Sequence, residues 1–322
     1  MKKYPLKLKP VTKSAIWGGS RIPETFGIGR MGENVAEAWM LSVRRDAVNI
    51  IENGPATGMT LADYLGIDYT REEKPDHFPL LVKILDARDK LSVQVHPDDA
   101  FAAMNGLDAG KTEMWYVLDA EKGATLVLGA KEGVSGNDIR AHALDGTLEN
   151  DLRFVPVKKG DCFFIPAGMI HAIGGGILIA EIQQNSDTTY RLYDYDRVGQ
   201  DGKKRELHLD AALQAIKSVF DTTAVTVNTR VPSPVGVTET ILCGCDKFRA
   251  VSVSVKAGKS YGMASPSRFV HVMCVGGIGV LECGGARYQL KKGDSYFLPA
   301  ALTGIGFTAE RDMSLIFSEA NG

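Results

Sequence analysis

Short apolar runs bounded by glycine-containing turns recur along the chain, and they predict strands rather than long helices. The segment Leu91–His96 (LSVQVH) alternates between apolar and polar residues, and its polar face carries Gln94 and His96. Two longer stretches, Glu113–Leu128 and Phe269–Leu281, each contain two apolar runs around a short turn. We expect each of these stretches to form a β-hairpin.

Helical spacing of apolar residues occurs in two stretches. Lys131–Asp151 is polar, with Ile139, Leu144 and Leu148 spaced as on one face of a helix. Leu209–Phe220 is a second candidate helix, with Ala212, Ile216 and Phe220 on one face. The pattern therefore predicts a small helical insertion and a helical bridge within a protein that is mainly β.

A ten-residue block occurs twice in the chain. Residues 158–167 read KKGDCFFIPA and residues 291–300 read KKGDSYFLPA, with seven of the ten positions identical. Each block contains a Gly-Asp turn, an apolar strand and a Pro-Ala end, which predicts two related β-barrels. The copies then differ, because PAGMIH of the first ends in His171, whereas PAALTG of the second has Gly304 there. Since the scaffold persists without this histidine, we expect chemistry in the first barrel only.

Composition narrows the class of protein. The 35 glycines and 13 prolines support many turns, and the net charge of −2 includes no basic block. Nucleic acid and membranes are therefore not expected as partners. The five cysteines are scattered without zinc-type spacing, and no apolar stretch follows the basic start Met1–Pro10. These features predict reduced thiols and a cytoplasmic protein.

Residues able to bind a metal converge in the first barrel if the strands are arranged as predicted. His96 ends the alternating strand, with Gln94 on the same face. Glu113 begins the next strand and shares a face with Lys111, and His171 follows the strand of the first repeat. Two imidazoles and one carboxylate in a compact site suit Zn²⁺ or non-haem Fe²⁺.

The spacing around His171, Gly160-x5-Pro166-x-Gly168-x2-His171, matches the second conserved motif of cupins without its terminal asparagine. More narrowly, the chain resembles the type I phosphomannose isomerases in their short bacterial form. Six motifs in the family's order carry this resemblance: KSAIWGG (13–19), EAWMLS (37–42), QVHPDD (94–99), KTEMWYVL (111–118), PAGMIHAIGGG (166–176) and EIQQNSDTTYRLYDYDR (181–197). They span about residues 1–200, and the repeat covers the rest of the chain.

The resemblance implies a mainly β fold of two cupin-type (jelly-roll) barrels. It also implies that mannose 6-phosphate and fructose 6-phosphate interconvert through a cis-enediol, with one Zn²⁺ per chain. By the same resemblance His96, Glu113 and His171 hold the zinc, and Gln94 is either a fourth ligand or lies just outside the ligand set. Arg191 matches the family's catalytic arginine, which stabilises the enediolate charge or binds phosphate.

The residue that moves the proton is left open between Lys111 and Glu181. Lys111 lies two residues from a predicted ligand on the same face, and Glu181 begins the segment that leads to Arg191. The expected partner is a small sugar phosphate. The oligomeric state is left open as well.

We predict three units along the chain. The catalytic barrel comprises residues 1–130 and 152–200, the helical insert and bridge comprise 131–151 and 201–225, and residues 226–322 form a second barrel without metal ligands. Two alternative functions remain at this point, namely another metal-dependent cupin enzyme such as an Fe²⁺ dioxygenase, and a non-catalytic sugar-binding protein of two cupin domains.

Overall fold

β-Strands dominate the structure, a computed structural model that describes residues 3–67, 78–199, 202–217 and 228–321. The first strands are β1 (Leu6–Lys9), β2 (Val11–Lys13), β3 (Glu37–Leu41), β4 (Ile50–Ile51), β5 (Leu80–Ala87), β6 (Val93–Val95), β7 (Glu113–Ala120) and β8 (Thr125–Ala130). They are followed by β9 (Leu152–Pro156), β10 (Cys162–Ile165), β11 (His171–Ile173), β12 (Ile177–Gln184) and β13 (Tyr190–Tyr193). The remaining strands are β14 (Thr229–Val231), β15 (Val237–Gly244), β16 (Phe248–Val255), β17 (Ser260–Met263), β18 (Val270–Cys283), β19 (Ala286–Lys291), β20 (Ser295–Leu298) and β21 (Ile305–Ala320).

The helices are short and lie between the strands. They are α1 (Arg21–Phe26), α2 (Leu61–Leu65), α3 (Asp99–Met104), α4 (Gly136–Asp145) and α5 (Leu209–Ala215), with 3-10 helices at Gly54–Ala56 and Leu148–Asp151. No helix within the described ranges is long and apolar enough to cross a membrane.

Two antiparallel sheets form the first barrel. One has six strands in the order β10-β7-β12-β5-β3-β2, and the other has five in the order β13-β6-β11-β8-β9. Side chains from both sheets, including Leu85, Trp115 and Leu128, share one buried core. The alternation in Leu91–His96 therefore arises because β6 places Val93 against the outer layer and directs Gln94 to the inner face.

Helices form within both predicted segments and cover the outer face of the five-stranded sheet, but Leu144, predicted to share a face with Ile139, is 69% exposed. In α4, Ser135 and Asp138 form a capping box, and Ile139 packs in the same cluster as Val93 and Ala212 of α5. The bridge helix begins at Leu209 as predicted but ends at Ala215. The last predicted helical residues, 218–220, lie outside the described residues, as do 201 and 221–225 of the predicted bridge.

The second barrel is built from one ten-stranded sheet in which β18 and β21 are long, bent strands. Its own core includes Val253, Phe307 and Leu315. A second cluster joins the two barrels, where Val82 of β5 packs with Phe248 and other residues of the second barrel. Two of these ten strands, β1 and β4, come from the first part of the chain, since β1 pairs with β20 and β4 pairs with β1. The domain limits given above stay a prediction.

Neither of the two predicted hairpins forms. Strands β7 and β8 are consecutive but belong to different sheets, so the turn at 121–124 carries the chain from one face of the barrel to the other. Residues 270–281 fall instead in β18, one continuous strand with shifts of register around Gly276. The first prediction was wrong because two sheets that share a core present the same apolar runs as a local strand pair, and the second because the glycines bend one strand rather than end it.

The two repeat blocks form the same turn, and the structure distinguishes their glycines. Gly160 and Gly293 have φ values of 91° and 94°. Added to Gly293, a Cβ atom would lie 2.2 Å from the carbonyl oxygen of Phe26, whereas Gly160 has nothing within 4 Å of such an atom. The backbone conformation disfavours alanine at both positions, but only the second position adds a steric clash.

We therefore expect Gly293→Ala to destabilise the protein more than Gly160→Ala. The left-handed backbone alone costs about 1–2 kcal/mol for alanine, and the clash with Phe26 raises the loss at Gly293 to about 3 kcal/mol or more. Denaturant unfolding of both variants measures the difference. Equal losses of unfolding free energy would contradict the close approach of Phe26.

Candidate active site

His96, Glu113 and His171 meet inside the first barrel, at the ends of three strands. His96 directly follows β6, Glu113 begins β7 and His171 begins β11. The two Nε2 atoms of the histidines lie 3.1 Å apart. Each lies 3.5 Å from one oxygen of Glu113, and all three side chains are buried. The three predicted ligands are thus brought together as one compact group.

Backbone carbonyl groups orient both imidazole rings. Nδ1 of His96 lies 2.9 Å from the carbonyl oxygen of Thr188, and Nδ1 of His171 lies 2.9 Å from that of Met169. A proton on each Nδ1 satisfies these contacts and leaves both Nε2 lone pairs directed into the cluster. Burial lowers the pKa of His171 to about 4 and that of His96 well below its usual value. Both rings are therefore neutral near pH 7, as metal ligation requires.

Glu113 provides the test of whether a cation fits here. Both of its carboxylate oxygens are buried, and within the described part of the chain neither has a partner with hydrogen-bond geometry. The Nζ atom of Lys111 lies 2.9 Å from Oε2 of Glu113 and 3.0 Å from Nε2 of His96. Two imidazole nitrogens and a buried carboxylate without a geometrically formed hydrogen bond are a donor set typical of Zn²⁺ or Fe²⁺, so these residues fit a metal.

Gln94 and Arg191 extend the site along the five-stranded sheet. Gln94 pairs with His171 on one side and with Arg191 on the other, so the three side chains share a face. The amide nitrogen of Gln94 lies 3.4 Å from Nε2 of His171, and a 180° turn of the amide presents its oxygen there. Arg191 is half-buried, with Nη1 donating to the carbonyl oxygen of Glu206 at 2.8 Å. Burial lowers the pKa of its guanidinium.

Glu181 lies on the facing sheet, between Trp115 and Lys83 on the neighbouring strands. Nε1 of Trp115 donates to Oε2 of Glu181 at 3.1 Å, and Nζ of Lys83 lies 3.6 Å from Oε1. Burial and the neighbouring Glu113 raise the pKa of Glu181. The carboxyl group is therefore held in a fixed position next to the metal-type cluster.

Two charged residues of this pocket were missed by the sequence analysis. Nζ of Lys83 lies 3.4 Å from Oε2 of Glu37, and Nε1 of Trp39 donates to the same oxygen at 2.7 Å. Burial alone would lower the pKa of Lys83, but Glu37 and Glu181 raise it above its usual value. The sequence feature that could have revealed Lys83 is a single lysine within an apolar run, Leu80–Leu85 (LLVKIL). The strand that contains it is buried throughout.

The segment before β7 is held by contacts with distant residues. Asp99 of α3 accepts a hydrogen bond from the backbone nitrogen of Gly110 at 2.8 Å, and Gln184 accepts one from that of Thr112 at 2.9 Å. Nζ of Lys247, from the second barrel, lies 3.0 Å from the carboxylate of Asp99. The second barrel thus supports the segment that carries Lys111 into the site.

Fold and site together define a protein of two cupin domains with a metal-type site in the first. In the described ranges, the group formed by His96, Glu113 and His171 is the one cluster of three or more histidine, cysteine or acidic residues that could hold a metal ion. The second barrel has Gly304 where the first has His171.

Comparison with known proteins identifies the family. The model of the phosphomannose isomerase type I catalytic domain matches residues 6–130, and that of the mannose-6-phosphate isomerase cupin domain matches residues 238–319. Mannose-6-phosphate isomerase of Streptococcus mutans is 36% identical over 320 residues, which is 98% of each chain. Mannose-6-phosphate isomerase ManA of Bacillus subtilis is 37% identical over 304 residues, covering 92% of this chain and 94% of the relative.

A crystal structure agrees with the sequence comparisons. The mannose 6-phosphate isomerase from Bacillus subtilis superposes with a TM-score of 0.88 at 33% identity, covering 98% of this chain and 99% of that one. The chain therefore belongs to the type I phosphomannose isomerase family. The predicted family and the predicted fold of two cupin-type barrels are confirmed. The family is metal-dependent, and this chain has a candidate metal site.

Proposed function

We propose that this chain interconverts mannose 6-phosphate and fructose 6-phosphate in its first barrel. The observation that carries the proposal is the buried cluster of His96, Glu113 and His171, in a chain that belongs to this family. Two neutral imidazoles and one buried carboxylate give three donors and leave room for further ligands, as a catalytic metal site requires. The substrate is accordingly a small sugar phosphate.

We infer that the metal is a single Zn²⁺ held by His96, Glu113 and His171. Gln94 is close enough to His171 to complete the ligand set after a turn of its amide. When bound, Zn²⁺ polarises the sugar oxygens and lowers the energy of the negative charge that develops on them.

We assign the transfer of the carbon-bound proton to Glu181. In the aldose-to-ketose direction a base takes the proton from C2 and delivers it to C1, through a cis-enediol. The hydrogen bond from Trp115 and the charge of Lys83 fix the carboxylate, and its raised pKa suits a group that takes a proton and returns it. Lys111 remains the competing candidate, because its ammonium group contacts two of the proposed ligands.

Arg191 supplies a fixed positive charge on the opposite sheet. It shares a face with Gln94, and its Nε atom is buried without a partner among the described residues. We propose that its guanidinium group stabilises the enediolate charge or binds the phosphate. One phosphate needs only one or two such groups, which is compatible with a net charge of −2.

The state of the cysteines supports the proposed cytoplasmic location. All five lie in the described residues, and none of them forms a disulfide bond there. Such a set is typical of a reducing compartment.

Removal of the metal is expected to abolish isomerase activity reversibly. A chelator should reduce turnover of mannose 6-phosphate by about 100-fold or more, because the metal stabilises the charge of the transition state. A coupled assay with metal analysis before and after chelation, followed by addition of Zn²⁺, measures this loss and its recovery. Full turnover in metal-free protein would refute the proposed function. Iron with oxygen uptake and no isomerase activity would indicate a dioxygenase instead.

A further inference from the structure

The second barrel contains an open pocket of about 310 Å³ that the proposed reaction does not use. Its floor includes Val251 and Phe317, which belong to the core of that barrel. Arg249 and Glu319 line one side, with Nη1 of the arginine 3.0 Å from Oε1 of the glutamate. The volume falls at the small end of pockets that bind small molecules, about 300–1,000 Å³.

The strand registers show that this pocket occupies the place of the active site in the first barrel. The repeat makes β10 equivalent to β20, so that Phe163 corresponds to Tyr296. Following the strand pairing outward from these two residues gives three equivalent pairs: Trp115 with Val272, Glu181 with Phe317, and Lys83 with Val251. The positions of the charged residues Glu181 and Lys83 are thus occupied by apolar residues in the second barrel.

The metal-type donors are missing from the second pocket as well. Val270, two residues before Val272, takes the position of Glu113, and Gly304 takes that of His171. Charged residues are found two positions further along the same strands, nearer the end of the barrel. Two residues along the same strands, Arg249 and Glu319 occupy the positions that correspond to Leu81 and Gln183 in the first barrel. The second barrel therefore keeps an open cavity at this place, but the cavity is lined by different side chains.

Tyr261 and Glu239 complete the polar rim. The hydroxyl group of Tyr261 donates to Oε2 of Glu239 at 3.2 Å, and its ring contacts Phe317 with 5.8 Å between the centroids. Burial and Glu239 raise the pKa of Tyr261 to about 12, so the hydroxyl group stays a donor near pH 7. The pocket thus combines an aromatic and aliphatic floor with a rim of donors and acceptors.

The charges of this rim select the class of ligand. Two carboxylates against one guanidinium disfavour a phosphate or other anion. Arg249 offsets the charge of Glu319, but the Tyr261 hydroxyl donates to Glu239 without neutralising it, so a simple amine is the competing ligand that the test below includes. Carboxylates in such pairs keep lone pairs that accept from hydroxyl groups, while an apolar floor suits the face of a ring.

We propose that the pocket of the second barrel binds a small uncharged sugar, with the ring over Val251 and Phe317 and its hydroxyl groups on Glu239, Arg249 and Glu319. No metal takes part in this binding. The proposal does not rest on the isomerase function of the first barrel, and the two can fail independently.

Saturation-transfer NMR with D-mannose, D-glucose and D-fructose tests this site in the full-length protein. Saturating mannose 6-phosphate is added to fill the first barrel, so that remaining transfer to a free sugar reports the second. We expect transfer from at least one of these sugars to persist. Glu319→Gln and Arg249→Ala should weaken its binding about tenfold or more, because each removes a charge-assisted hydrogen bond.

Matched variants separate a loss of binding from a loss of folding. Arg287→Ala removes another exposed arginine of the same barrel, paired with Glu282 at 3.5 Å, and should leave binding unchanged. Ser265→Trp places a bulky ring at the exposed rim of the pocket and should block the sugar without disturbing the core. All four variants should retain turnover of mannose 6-phosphate and the melting temperature of the parent protein within a few degrees.

Three results would overturn the proposal. The first is complete loss of the sugar signal on addition of mannose 6-phosphate. The second is unchanged sugar binding in Arg249→Ala, Glu319→Gln and Ser265→Trp. The third is binding of a simple amine, tested with cyclohexylamine, at a pocket that takes none of the three sugars.

Discussion

Replacement of His171 with alanine is expected to remove the metal from the first barrel and to reduce turnover of mannose 6-phosphate by about 10³-fold or more. The imidazole supplies one of three donors that all lie within 4.8 Å of one another. Without it, the donor set would fall to one histidine and one carboxylate, with Glu113 still paired with Lys111. Metal analysis together with the coupled isomerase assay measures both losses.

His271→Ala is the matched control, since His271 is also a fully buried histidine on a strand. Its Nε2 atom lies 2.8 Å from Oγ of Ser295 in the second barrel. This variant should lose stability but keep metal and turnover, because His271 belongs to no metal-type cluster in the described residues. Full metal content and full activity in His171→Ala would show that the site has been assigned to the wrong residues.

The three proposed ligands could be predicted to lie together because local patterns mark them. His96 stands at the end of an alternating strand, and His171 follows an apolar strand whose second copy has glycine at that position. The comparison between the two copies separates residues that serve the scaffold from residues that serve chemistry. Glu113 and Lys111 could also be predicted from the local sequence. They are two residues apart at the start of a strand and therefore share one of its faces.

Lys83 and Glu37 could not be found by local patterns. They face Glu181 only because β12, β5 and β3 lie side by side, and this order depends on pairing between segments far apart in the chain. The hairpin predicted over Glu113–Leu128 was wrong for the same reason. A run of apolar residues does not reveal which of two facing sheets its strand will join.

Both faces of β5 and β12 are buried, and the two faces contact different parts of the protein. Val82 and Ile182 point toward the second barrel and help to join the two barrels, whereas Lys83 and Glu181 point into the first. Such strands resemble the fully buried strands of a layered core rather than half-exposed strands. We infer that packing against the second barrel holds the charged residues of the first in place.

Glu181→Gln is expected to reduce kcat by about 10³-fold while the metal content stays unchanged. An amide of the same size can keep a contact with Trp115, but it cannot take a proton from carbon. Exchange of the C2 proton of mannose 6-phosphate with deuterated water should fall together with turnover. Steady-state kinetics, metal analysis and NMR of the exchanged sugar measure these effects.

Lys111→Met distinguishes the two candidate bases in the same assays. If Glu181 moves the proton, loss of the Lys111 ammonium changes the surroundings of Glu113 and His96 but leaves a measurable rate of exchange at C2. Loss of exchange in Lys111→Met together with near-normal exchange in Glu181→Gln would transfer the role to Lys111. The structure favours Glu181, because its carboxylate is fixed by Trp115 and Lys83, whereas the amine of Lys111 lies directly against two of the proposed metal ligands.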